Sequence, residues 1–191
     1  MGEDHDYYQF EQVAFEVKDF ESEGFILDIG GGGEGVIGKL KGKDVVAIDI
    51  RKDELEEAVE GPLKIVMDAR DLKFLDDSFN TATAFFSLMY ISKREDQRKI
   101  LEEIWRVLKP GGYLHLWDVD LSERPETDKE IYVVFLRYRV AGEEIGTGYG
   151  QRWPDEPRGK GYYIALAETV GFRHIRSEEN KHTFYLLFQK P

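Results

Sequence analysis

The chain contains no cysteine. That excludes a disulfide framework and any thiolate metal site, and it fits a reducing compartment. It also lacks any apolar run near the ~20 residues that cross a bilayer. The stretch Met1 to Phe20 is acidic and aromatic, without the basic and apolar regions of a secretion signal. A cytoplasmic location with no membrane contact is therefore expected. Positive charge is scarce: 26 Lys and Arg stand against 38 Asp and Glu, for a formal net charge of -12. Such a field repels phosphate backbones, which disfavours nucleic acid as a partner. His5, His115, His174 and His182 show no ligand spacing, so no metal is expected.

The 191 residues are 41% hydrophobic and 13% aromatic, which suits one α/β domain over residues 1–191. Phe10, Val13, Ala14 and Val17 recur at helical spacing, so Asp6 to Phe20 is expected to be a helix. With Tyr7, Tyr8 and Phe10 it would either form a lid over a site, within residues 1–20, or simply pack on the domain. Short apolar strands at Phe25 to Ile29, Val45 to Ile50, Lys64 to Met67, Phe79 to Phe86 and Tyr113 to Val119 alternate with helical segments. The clearest helix is Glu95 to Leu108, with Pro110-Gly111-Gly112 as its stop. That alternation predicts right-handed crossovers and a mainly parallel sheet. Residues 120–158 break the rhythm; they read as an inserted β-hairpin, with a helix from Lys129 as the alternative. A helix from Tyr162 to Val170 closes at Gly171, and Phe172 to Ser177 with Thr183 to Gln189 predict an antiparallel pair.

The richest segment is Asp28-Ile29-Gly30-Gly31-Gly32-Gly33-Glu34-Gly35, between a strand and a helix. Glycines there let a ligand approach bare backbone. Gly30, Gly32 and Gly35 satisfy the dinucleotide fingerprint, and Gly33 to Lys39 satisfy most of a phosphate-binding loop. Both would place an anion beside Asp28 and Glu34, which is unfavourable, and Leu40 cannot hold magnesium. S-adenosylmethionine has no phosphate and carries an ammonium and a sulfonium that Asp28 can face. Its carboxylate suits the amides of a helix start. Asp49, at the end of the next strand and about 20 residues on, is placed to accept ribose hydroxyls. Ile50 offers adenine an apolar face, and Asp68-Ala69 could accept from its amino group.

In this order the segments Asp28 to Gly32, Ala47 to Ile50, Asp68-Ala69, Leu72 to Asn80, Arg106 to Gly112 and Glu168 to Phe172 resemble the motifs of class I S-adenosylmethionine-dependent methyltransferases. The resemblance runs from about Phe20 to the end. It implies a Rossmann-like, doubly wound, seven-stranded mixed sheet, mainly parallel with an antiparallel last strand. It also implies cofactor contacts at Asp28, Gly30, Gly32, Asp49, Ile50, Asp68, Ala69 and Phe85. The sequence departs from the pattern at Glu34, where a third glycine is usual, and at Met89-Tyr90, where a His pair is frequent.

Methyl transfer asks mainly for alignment, so no catalytic base is assigned. Tyr90 as a substrate contact and Asp118 as a base are candidates because both fall at carboxyl ends of strands; ordinary strand-end roles compete. The Asn/Asp-Pro-Pro-aromatic signature of nucleobase and amide methylation is absent, Ser87-Leu88-Met89-Tyr90 standing there. The expected acceptor is a small molecule or a protein. Arg137, Arg139, Arg152, Arg158 and Lys160 would either attract an acidic substrate or form a solvated face. An NAD-type oxidoreductase and a cofactor-binding module without turnover are the alternatives.

Overall fold

The computed structural model describes residues 6–191. The segment expected to be a helix is extended: β1 (Tyr8–Gln9) and β2 (Val13–Glu16) both pair in parallel with β8 (Ile131–Val140). The five residues from Gln9 to Val13 face only four on β8, Val133 to Leu136. This extra residue shifts the buried set to Phe10, Val13 and Val17, so a bulged strand imitates helical spacing. The expected helical lid is thus corrected to a strand pair; its first five positions, His5 included, lie outside the described residues. β8 turns at Ala141–Gly142 into β9 (Glu143–Arg152), an antiparallel hairpin in register from Ile131↔Arg152 to Val140↔Glu143. No helix starts at Lys129.

Between these parts runs the alternating core. It comprises β3 (Ile26–Ile29), α1 (Val36–Lys41), β4 (Val45–Asp49), α2 (Lys52–Glu57), β5 (Leu63–Val66), β6 (Phe79–Phe85), α3 (Arg94–Val107) and β7 (Leu108–Val119). After the hairpin come α4 (Lys160–Val170), β10 (Arg173–Asn180) and β11 (Thr183–Gln189). The sheet order is β10-β11-β7-β6-β3-β4-β5, with β11 antiparallel to both neighbours and the pairs from β7 through β5 parallel. This is the expected seven-stranded mixed sheet. Its order reverses beside β3, which puts a ligand crevice at the carboxyl ends of β3 and β6.

Burial on both faces explains the continuous apolar strands. Leu27, Ile29, Val46 and Ile48 pack toward Ile100, Leu101 and Ile104 of α3 and Leu166 of α4, while Ile26, Val45 and Ala47 pack toward Ile37 of α1. α3 ends at Val107, and Lys109 to Gly112 form an irregularity inside β7 rather than a break after the helix. Gly111 there has φ +83°, and a Cβ at Gly112 would sit 2.9 Å from the Asn80 carbonyl.

Arg106 locks this corner. Its guanidinium donates to the carbonyls of Phe74 and Leu72, each at 2.9 Å, and to Asp76 and Glu103. Glu103 in turn accepts the Leu72 N–H at 2.7 Å. Arg106→Ala would strand these acceptors, with an expected loss of about 2 kcal/mol and a Tm lower by about 4–8 °C in a thermal melt. An unchanged Tm would count against this role.

The smaller sheet roofs the crevice end. Its inner residues Tyr132, Val134, Leu136 and Tyr138 pack on Phe85, Phe86, Met89 and Val119 at the ends of β6 and β7.

Candidate active site

A cleft of about 530 Å³ opens over the turn between β3 and α1. That turn is shaped by glycine: Gly30, Gly33 and Gly35 have φ of +70°, +58° and +56°. Gly30 and Gly31 donate to the Ile48 carbonyl at 2.8 and 3.0 Å, which ties the turn to β4. A Cβ at Gly30 would meet Ser87 Cβ at 2.6 Å, and one at Gly32 would meet Glu54 Cβ at 2.5 Å and Asp49 Oδ2 at 3.0 Å. The bare turn is therefore required by close neighbours as well as by φ.

The wall is acidic. Asp28, Glu34, Asp49, Glu54, Asp68 and Asp96 line the cleft, against Arg51 and Arg70. Both arginines are already engaged, Arg51 with Asp53 and with Glu54 at 2.8 Å, and Arg70 with Asp68 at 2.7 Å and Asp96 at 3.2 Å. A diphosphate would find two satisfied cations and an excess of carboxylate; a cationic ligand finds the reverse.

All eight expected cofactor residues line this cleft, with Gly30 and Gly32 at its floor. Asp49 Oδ1 accepts the Arg51 N–H at 2.9 Å, while Oδ2 lies toward Gly32. Ile50 is 64% exposed, an unusual state for isoleucine beside a strand end. Asp68, at the far rim with Ala69, is held below the usual carboxylate range by the Arg70 hydrogen bond. Phe85 lines the opposite end and is otherwise packed edge-on against Phe86 and Tyr138. Asp28 is the eighth; it is buried, with Thr83 Oγ1 donating to it at 2.6 Å, and burial pushes its carboxyl up to about 7.

Tyr90 stands at the lip, 43% exposed. Burial of its ring, together with the Glu34 charge, pushes its phenol up to about 12, so it is a neutral hydroxyl. Asp118 does not face the cleft, contrary to expectation. It is 1% exposed, absent from the lining, and its Oδ1 accepts the Val119 N–H at 2.8 Å. The β7 end is roofed by the hairpin, which sequence position alone could not reveal. The basic residues of the insertion are also elsewhere. Arg137 and Arg139 share the outer face of β8, and Arg158 is buried, donating to the Ile91 carbonyl at 2.7 Å. None of the five lines the cleft.

Ser87 and Tyr149 were given no role from sequence, and Glu34 was noted only as a charge and a departure from glycine. Ser87 Oγ is buried against the glycine turn with no hydrogen-bond partner among the described residues. Glu34 accepts from Thr147 Oγ1 and, at 3.0 Å, from the Tyr149 hydroxyl, and so ties the hairpin to the glycine loop. The Tyr149 ring stacks on Phe86 at 5.4 Å. The departure from glycine at position 34 was the available signal, but its partners lie 113 and 115 residues away. Glu34→Ala should speed amide exchange at Thr147 to Tyr149 by about tenfold, the worth of one charged hydrogen bond. Unchanged protection there would show that the tie is not holding the hairpin.

Strand order and the antiparallel last strand are those of the Rossmann-like methyltransferase fold. Comparison with known proteins agrees. Residues 27–116 match the family described as a methyltransferase domain. Over 158 residues the chain is 33% identical to the mitochondrial 2-methoxy-6-polyprenyl-1,4-benzoquinol methylase of Xenopus laevis, covering 72% of this chain and 48% of that one. It is 26% identical over 137 residues to a demethylmenaquinone methyltransferase of Listeria welshimeri, covering 68% and 56%. An S-adenosylmethionine-dependent methyltransferase of Methanosarcina mazei superposes with a TM-score of 0.65 at 20% identity, covering 90% and 94%. The chain thus carries a methyltransferase-domain match over residues 27–116 and has the fold of S-adenosylmethionine-dependent methyltransferases. It spans about half the length of the two curated relatives it is compared with here. Among the described residues no helix is long and apolar enough to cross a membrane, and no group of His, Cys, Asp and Glu is arranged to hold a metal.

Proposed function

We propose that this chain transfers the methyl group of S-adenosylmethionine to a small-molecule acceptor. The carrying observation is the acidic cleft over a bare-backbone turn, with an exposed Ile50 beside Asp49 and the orphaned Ser87 hydroxyl beside Gly30. These features fit the cofactor group by group. Asp49 would take the ribose hydroxyls, and Ile50 with Ala69 the adenine face. Asp68 would accept from the adenine amino group. The Gly30–Gly32 backbone and Ser87 would hold the amino-acid end, with Asp28 and Phe85 on its positive side.

When bound, the cofactor supplies an electrophilic methyl group. The protein's share is alignment and exclusion of water. Tyr149 and Phe86 close the roof over the cleft, and the Tyr90 hydroxyl can donate to an acceptor at the lip. The small-molecule reading draws on the benzoquinol and demethylmenaquinone in the names of the two relatives, and on the net charge of -12.

Calorimetry should show S-adenosylhomocysteine binding and no heat with NADH, followed by tritium transfer from methyl-labelled cofactor to a metabolite panel. NADH binding without S-adenosylhomocysteine binding would sink the proposal. Cofactor binding with no transfer to any acceptor would leave a binding module.

A further inference from the structure

One wall of the cleft is held from behind by side chains that do not line it. That wall follows β6: Ser87, Leu88, Tyr90, Ile91 and Ser92 all face the cleft. Leu88–Tyr90 is a single 3-10 turn, and Ile91 and Ser92 belong to no helix or strand. The segment has few backbone bonds of its own. The Tyr90 N–H donates to the Ser87 carbonyl at 3.3 Å and the Ile91 N–H to the Leu88 carbonyl at 3.1 Å. Gln97 of α3, fully buried, donates to the Leu88 carbonyl at 3.0 Å and accepts the Tyr162 hydroxyl at 2.6 Å. Arg158 donates through Nη1 to the Ile91 carbonyl at 2.7 Å and through Nη2 to the Ser92 carbonyl.

Arg158 is the unusual member. It is 4% exposed, yet among the described residues no carboxylate forms an ion pair with it. Asp118, the acid that feels its charge, has its own carboxyl pushed up to about 7 by burial. The Tyr162 ring lies 5.7 Å from the guanidinium, and Nε is buried with no hydrogen-bond partner among the described residues. A cation buried against carbonyls is costly to keep where a neutral side chain could fill the space. Its planar fork adds a grip on two successive carbonyls at once. The backbone of the same residue has a second role. Arg158 and Leu121 exchange N–H···O bonds of 2.9 Å in both directions, an antiparallel bridge that closes the base of the insertion carrying the roof. Neither Leu121 nor Arg158 lines the cleft.

We infer that Arg158 is a positioning residue: it fixes the Tyr90–Ser92 wall of the cofactor cleft and couples that wall to the base of the roof. The inference rests on the methyltransferase reading above. Asp96, at the start of α3, pairs with Arg70 at 3.2 Å, and Arg70 pairs with Asp68 at 2.7 Å. This wall therefore runs toward the end of the cleft assigned to adenine. A cofactor packed on Ile91 and Ser92 stabilises the Leu121–Arg158 bridge, and a loosened bridge costs cofactor affinity. The two effects are reciprocal.

The test combines hydrogen exchange and calorimetry on the full chain. In the wild type, S-adenosylhomocysteine should slow amide exchange at Leu121 about tenfold and leave the distant edge strand β10 unchanged. Arg158→Met keeps the stem and loses the fork. It should bind S-adenosylhomocysteine about tenfold more weakly, and 5′-methylthioadenosine, which lacks the amino-acid end, by the same factor. Ligand protection at Leu121 should vanish in this variant. Arg158→Lys keeps the charge without the fork and should fall between the two. Affinities are measured below the melting transition, on chains that circular dichroism shows to be folded. A role confined to stability would lower Tm and leave these affinities alone. Should Arg158→Met fail to fold, Arg158→Lys and the wild-type protection carry the test. Variant affinity equal to wild type overturns the inference. So does unchanged exchange at Leu121 on ligand binding, equal slowing at β10, or a loss confined to S-adenosylhomocysteine. Failure of the wild type to bind S-adenosylhomocysteine would instead strike the proposed function.

Discussion

Asp28→Asn should make the protein more heat-stable at pH 8 and at least tenfold weaker for S-adenosylmethionine. The two effects share one cause. Asp28 is buried on β3, and its carboxyl titrates near 7 in the fold against an ordinary value of 3.8. The native state therefore holds a proton that the unfolded chain has lost between those values. Stability contributed by this group is full below pH 3.8, falls as pH rises toward about 7, and levels off above it. Asparagine keeps the shape and can still accept the Thr83 hydroxyl, so it escapes that cost. What it loses is the negative charge that a cationic ligand recovers. In the wild type, cofactor affinity should accordingly rise with pH through 7, with proton release on binding that calorimetry in two buffers would detect. Asp28→Asn binding as tightly as wild type would show that the carboxylate is not part of recognition. Such a trade between stability and binding is a common property of functional sites.

Asp49→Ala has the other large expected effect. This residue ends β4, is only half-buried, and supports little of the core, so the melting curve should barely move. Two charge-assisted hydrogen bonds to ribose are worth several kcal/mol together. The loss in S-adenosylhomocysteine affinity should be roughly 100-fold by calorimetry. The Arg51 amide also loses its acceptor at 2.9 Å, which affects the local turn and not the sheet. Affinity within threefold of wild type would move the ribose elsewhere in the cleft.

The central sheet was legible because each of its strands carries its own evidence. Val45 to Ile48 is apolar on both faces, and Gly171 ends α4 with φ +117°. Legibility failed where structure depends on distant partners. The Phe10, Val13, Val17 spacing looked helical because one bulge shifts a period of two toward a period of three or four, and only β8 exposes that. Pro110-Gly111-Gly112 was legible as the stop of a helix that does end at Val107, but that the same residues also make an irregularity in β7 beside Asn80 was not. Asp118 was placed by its strand-end position, yet the roof closes over it. Ser87 and Tyr149 carry no motif at all. Their place in the site comes from Gly30 and Glu34 meeting them in space.

Strand β2 finds its hydrogen-bonding partner at Leu136 to Arg139, about 120 residues further along. During synthesis the opening strands leave the ribosome long before β8 exists. Until then Phe10, Val13 and Val17 have no partner strand to cover them. The roof and everything it shelters can therefore close only after the hairpin has been made. Contacts of such separation are late and slow to form, so the nascent chain should pass through a stage in which the parallel core is assembled and the cleft end still gapes.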